Sequence, residues 1–68
     1  MIKLNAIRRR KNISQADLAL ELGVSQGAVS AWETGRWEPS IEMLKKIAVR
    51  LECSVDELIG GTNDKAGA

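Results

Sequence analysis

Two Ser-Gln pairs, Ser14-Gln15 and Ser25-Gln26, stand eleven residues apart, with Gly23 as the single glycine between them. Each pair carries the same chemistry. A serine hydroxyl can accept the N–H three residues on and so start a helix. The glutamine beside it holds an acceptor and two donors on one planar amide. The chain has no histidine and a single cysteine, Cys53, so neither a zinc site nor a nucleophile paired with a base is expected. No catalytic residue, metal or cofactor is assigned, and no small-molecule pocket is evident in the sequence.

The charge is unevenly placed. Residues 1–37 hold six Lys/Arg against three acids, whereas residues 38–68 hold four basic side chains against six acidic ones. A cationic first half is steered toward phosphate and leaves the acidic part facing solvent. The lone cysteine suits a reducing compartment. The opening "MIKLNAIRRRK" lacks the apolar stretch of a secretory signal, and no run reaches the roughly 20 apolar residues of a membrane span. A cytoplasmic location with no membrane partner is expected.

Apolar residues recur at helical spacing and nowhere alternate with period two, which predicts an all-α domain of five helices. Leu4 and Ile7 mark a first helix over about 2–11, with Arg8–Lys11 in its last turn, where cations suit the dipole, and Asn12 as its left-handed end. Ser14 starts a second helix, with Asp17 as capping partner, which runs through Ala16, Leu18, Ala19 and Leu22 to Gly23. Ser25 starts a third, with Val29 and Trp32 inward and Gly35 at its end. Ser40 caps a fourth whose apolar face is Ile41, Leu44, Ile47, Ala48 and Leu51, and Ser54 with Glu57 opens a fifth. Cys53 reads as a small apolar filler between these last two. The domain is placed at 1–60, followed by a flexible polar tail at 61–68.

The second and third helices fit a helix-turn-helix, in which two helices meet at about 90–120° through a short turn. Ala19 is small enough for close crossing, and Gly23 permits positive φ. Leu18, Leu22 and Val24 clamp the corner from one arm, Val29 and Trp32 from the other.

The stretch "SQADLALELGVSQGAVSAWETG", followed by "EPSIEMLKKIAVRLECSVDELI", resembles the phage-repressor/Cro-type (XRE) helix-turn-helix family over about residues 4–60. The resemblance implies a compact, lambda-repressor-like DNA-binding domain with 25–34 as the recognition helix in the major groove. It implies base contacts from Gln26, Gly27, Ser30 and Ala31, with the glutamine matched to adenine N6 and N7. Gly27 and Ala31 depart from the family, which often carries long side chains there; close approach, with the Ala31 methyl against a thymine methyl, is one reading, and no base contact at all is the other. Phosphate contacts are implied at Ser14, Gln15, Ser25, Thr34 and Arg36, with Gln15 as the anchor. Arg8 and Glu33 match a structural salt bridge of the family, which leaves Arg9, Arg10 and Lys11 as a solvated face. Trp37 stands where many relatives carry a basic residue, and sugar stacking, packing on the fourth helix and an interface all remain open for it.

One such domain covers a single half-site, so the resemblance implies a homodimer on a pseudo-palindromic double-stranded DNA operator. Val55, Leu58 and Ile59 of the fifth helix are the expected interface, although Leu58 also suits the core; Ile59, Val49 and Met43 are candidates for exposed apolar surface. The implied function is that of a transcriptional regulator, a repressor, and not an enzyme. A DNA-binding antitoxin and a small protein-interaction adaptor on the same scaffold are the alternatives, since fold alone does not fix function.

Overall fold

The computed structural model describes residues 2–60. The expected tail at 61–68 lies outside them. Five helices follow one another: α1 (Leu4–Arg10), α2 (Gln15–Leu22), α3 (Gln26–Thr34), α4 (Ile41–Leu51) and α5 (Val55–Leu58). Among the described residues there is no strand, and no helix is long and apolar enough to cross a membrane.

Four serines start four of these helices by the same device. The hydroxyls of Ser14, Ser25, Ser40 and Ser54 accept the N–H groups of Asp17, Ala28, Met43 and Glu57 at 3.0–3.1 Å. At Ser54 the box is reciprocal, because the Glu57 carboxylate also accepts the Ser54 N–H at 2.9 Å. Helix α1 has no side-chain cap and begins later than the sequence suggests. Its approach is anchored at long range instead: the Lys3 N–H donates to the Leu58 carbonyl at 2.6 Å, which ties the chain's start to the end of α5.

The helix ends share a device as well. After α1, Asn12 is left-handed at φ 58°, and the Ile13 N–H returns to the Arg8 carbonyl at 3.2 Å, while Asn12 donates to Arg9 at 3.0 Å. This double return is the Schellman arrangement. It recurs at Gly23 and Gly35, where glycine takes the left-handed residue without a Cβ clash. It recurs again after α4, where the residue is Glu52 at φ 57°. Glutamate does not signal this turn in a sequence, and Glu52 was not foreseen as one. Its carboxylate pairs with Lys11 at 3.3 Å, across the gap between the ends of α4 and α1.

The core is built from Leu4, Ile7, Leu18, Ala19, Val29, Trp32, Ile47, Leu51 and Leu58, with Ile13, Leu22, Val24, Leu44 and Cys53 packed around it. Every helix contributes, so α2 and α3 are held at their corner by a shared interior. Burial of the Cys53 thiol, reinforced by the negative charge of Glu57, pushes its pKa up. One expected core residue is corrected: Ile41 is 69% exposed. It occupies the first turn of α4 at the margin of the apolar arc, which narrows to Leu44, Ile47, Ala48 and Leu51.

Candidate nucleic-acid interface

The site begins with a buried ion pair. Arg8 on α1 and Glu33 on α3 meet with Nε–Oε2 at 2.7 Å, and their side chains are only 10% and 5% exposed. Burying an arginine and a glutamate costs several kcal/mol per ion, which close pairing and further hydrogen bonds must repay. Both ions make such bonds. Arg8 Nη1 donates to the Ile13 carbonyl at 2.6 Å, which also fixes the link between α1 and α2. Glu33 Oε1 accepts from Arg8 Nη2 at 3.3 Å, from Asn5 Nδ2 at 3.0 Å and from Gln15 Nε2 at 2.8 Å. Burial alone raises the carboxyl's pKa, but the donors Arg8, Asn5 and Gln15, together with the arginine's charge, outweigh it and hold Glu33 below the ordinary carboxylate range.

From this pair the network reaches the surface. Gln15 opens α2 half-buried, and its Oε1 accepts from Gln26 Nε2 of the exposed first turn of α3 at 3.4 Å. The two glutamines of the repeated Ser-Gln pairs therefore touch, one behind and one in front. The sequence reasoning placed Gln15 and Gln26 in the site but missed their contact, and it missed Asn5 altogether. The available signal for Asn5 was helical spacing: it lies one turn before Arg8 and so shares its face.

At 100° per residue, Ser30, Thr34 and Gly27 follow Gln26 around the outer face of α3. Ser30 is half-buried, whereas Gly27 and Thr34 are exposed. The Thr34 hydroxyl donates to the Ala31 carbonyl at 3.3 Å. Ser14, Ser25 and Arg36 are exposed, with both serine hydroxyls engaged as helix caps.

Ala31 requires a correction. It has no accessible surface, so its methyl cannot meet a thymine. The chain leaving α3 folds back on that side, and the N–H groups of Arg36 and Trp37 both donate to the Ala31 carbonyl, at 2.9 and 3.3 Å. Of Gly27 and Ala31, only Gly27 faces outward. A Cβ there would meet nothing closer than the Ser25 hydroxyl at 3.8 Å. Gly27→Ala is therefore expected to stabilise the domain by about 0.5–1 kcal/mol through helix propensity, measured by urea unfolding; a destabilised variant would show that the space is not open.

The expected interface on α5 divides. Leu58 is fully buried in the monomer core and unable to touch a second copy, whereas Ile59 is 46% exposed and Val55 half-buried. The helical period explains the split, since α5 is a single turn and directs only one of its apolar residues straight inward. Trp37, 58% exposed, lines a groove with Ile2, Pro39, Leu44 and Ile59.

The comparisons with known proteins agree with this architecture. A helix-turn-helix family profile matches residues 4–58. The chain is similar to the HTH-type transcriptional activator BcrR of Enterococcus faecalis, 42% identical over 59 residues, covering 87% of this chain and 29% of that protein. It is similar to Repressor protein C2 of Salmonella phage P22, 39% identical over 59 residues, covering 87% of this chain and 27% of that one. The cryptic phage CTXphi transcriptional repressor RstR of Vibrio cholerae is 43% identical over 53 residues, covering 78% of this chain and 47% of its own length. The chain thus spans less than half the length of these curated relatives.

Proposed function

Since this chain belongs to the helix-turn-helix family, we propose that it is a sequence-specific double-stranded DNA-binding transcriptional regulator that sets α3 in the major groove. The observation that carries this reading is the amide pair. Gln15 and Gln26 sit in the first turns of two adjacent helices, at their electropositive ends, and are joined by a hydrogen bond at 3.4 Å. Gln15 at the start of α2 takes a backbone phosphate, aided by the free N–H groups of that turn. Gln26, one helix further out, takes a base edge. Its amide matches adenine N6 and N7 as a bidentate pair. Ser30 reads beside it, and Gly27 allows the backbone of α3 to approach the base edges closely. Ser14, Ser25, Thr34 and Arg36 supply the remaining phosphate contacts, of which only Arg36 is a full charge. Nucleic-acid interfaces use such contacts for register and the base edges for sequence.

One copy covers one half-site. Two copies on a pseudo-palindrome with half-sites about one helical turn apart supply the specificity of an operator. The exposed Ile59, with Val55 behind it, is the apolar surface for that two-fold contact. Repression is supported by the two phage repressors among the relatives, which match this chain over 59 and 53 residues.

The test is selection from a random-sequence duplex library at a stated physiological salt. An inverted repeat is the expected product. Gln26→Ala is expected to lose about 1–3 kcal/mol of discrimination at one position of each half-site, with affinity for unrelated DNA unchanged. A loss that is uniform across all sequences would remove Gln26 from base reading. Recovery of no DNA at all would favour a protein-interaction role.

A further inference from the structure

The direction in which each amide of the site points follows from the chemistry of one residue. A carboxylate only accepts hydrogen bonds. The Gln15 atom that lies 2.8 Å from Glu33 Oε1 must therefore be its Nε2. Its other atom is then Oε1, an acceptor, and the Gln26 atom facing that one must be a donor, Nε2, at 3.4 Å. Gln26 is left offering its own Oε1 and its remaining N–H to the groove. One acceptor beside one donor is the complement of adenine, which presents the N6 amino group and N7. Turned over, the same amide would offer its nitrogen alone, with two donors, which is the complement of guanine O6 and N7. Nothing at Gln26 itself distinguishes these two states. Glu33 does, from the interior.

We propose that Glu33 is a specificity-determining positioning residue: through the Glu33–Gln15–Gln26 relay it fixes the Gln26 amide in the orientation that selects adenine over guanine. The inference rests on the DNA-binding reading above. Glu33 touches no base. It acts at one remove, and Asn5, donating to the same carboxylate oxygen at 3.0 Å, helps hold that oxygen in place. Arg8 supplies the reason that the carboxylate cannot turn away, since its Nε is committed to Oε2 at 2.7 Å.

The chemistry predicts what Glu33→Gln does. Arg8 has only donors, and its shorter bond is to the Oε2 position, so the new amide oxygen goes there. The new amide nitrogen then takes the place of Oε1, gives up the longer bond from Arg8 Nη2 and the bond from Asn5, and faces Gln15. Gln15 turns over to present its oxygen, and Gln26 turns over in response. The base preference is expected to shift away from adenine, toward guanine, while Gln26 itself is untouched.

The experiment is the random-sequence duplex selection repeated with the full chain and three variants, with the fold of each checked by circular dichroism and a thermal melt. Gln26→Ala locates the position read by Gln26. At that position the wild type is expected to hold adenine over guanine by about tenfold. Glu33→Gln is expected to bring that ratio to parity or below. Should Glu33→Gln fail to fold, Gln15→Leu tests the relay at its middle link, because it cuts it at a half-buried surface position and leaves the Arg8–Glu33 pair intact. Its adenine-to-guanine ratio is expected near one, whatever happens to its overall affinity. A folded Gln15→Leu that keeps the wild-type ratio overturns the relay, as does a folded Glu33→Gln that keeps it. If Gln26→Ala leaves every base frequency unchanged, base reading by Gln26 has failed, and the relay falls with it.

Discussion

Replacing Arg8 with methionine is expected to destabilise the domain by about 3–5 kcal/mol, the cost of leaving one member of a buried ion pair without the other. Natural domains hold about 0.05–0.15 kcal/mol per residue, so a chain this short stands to lose most of its stability. The cost has two parts. Glu33, with its side chain 5% exposed, would keep only the neutral donors Asn5 and Gln15. The Ile13 carbonyl would lose its bond from Nη1, and with it the tie across the α1–α2 connection. Adding Glu33→Leu to Arg8→Met is expected to recover much of the loss, since a buried pair replaced by well-packed apolar groups is often neutral or stabilising. Urea unfolding of the single and double variants measures both. An Arg8→Met protein that unfolds at the wild-type midpoint would mean that the pair contributes nothing.

The same carboxylate gives this stability a pH dependence whose sign is fixed. Glu33 titrates lower in the folded state than its ordinary value of 4.5. The unfolded chain therefore binds the proton first, and stability falls with acid. The pair's contribution is complete above the ordinary carboxylate range and is lost as the pH drops through the lowered folded value. In the Arg8→Met, Glu33→Leu protein this component of the acid transition should be missing.

What could be read from the sequence was local, and what could not was set by parts of the chain that are distant in sequence. The serine caps at 14, 25, 40 and 54 and the left-handed ends at Asn12, Gly23 and Gly35 each need only a residue and its neighbours within one turn. Glu52 performs the same task as Gly23, but a glutamate has no intrinsic preference for that conformation, and the ion pair it makes there is with Lys11, 41 residues away. The Arg8–Glu33 pair came from the family resemblance, and periodicity alone would not have found it. The bonds from Asn5 and Gln15 to Glu33 span 28 and 18 residues: helical period sets Asn5 on the face of Arg8, but it does not bring either residue to Glu33. Leu58 and Ile59 are adjacent apolar residues with opposite fates, one fully buried and one 46% exposed. Their difference depends on how a single-turn helix lies over the core.

The position at which sequence and structure part most instructively is Ala31. Glutamine there, as a long reader in the recognition helix, looks like a gain of function. It is expected to cost about 2–6 kcal/mol, the sum of overpacking at about 1–3 and a buried amide without partners at about 1–3. The residue has no accessible surface, and its carbonyl already closes the turn that Arg36 and Trp37 make. Gly27→Gln is the matched control. It adds the same side chain four residues earlier, where the Cβ has open space apart from the Ser25 hydroxyl at 3.8 Å, and it replaces the poorest non-proline helix former with a good one. Gly27→Gln should therefore fold at least as well as wild type and present a second amide beside Gln26, while Ala31→Gln should lose much of its cooperative unfolding. The two urea curves, compared directly, locate the boundary between the outer face of α3, proposed to read DNA, and the face that is core. Equal stability for both variants would put Ala31 on the outer face after all. The expected divergence means that position 27 is open to a longer side chain, whereas position 31 belongs to the fold.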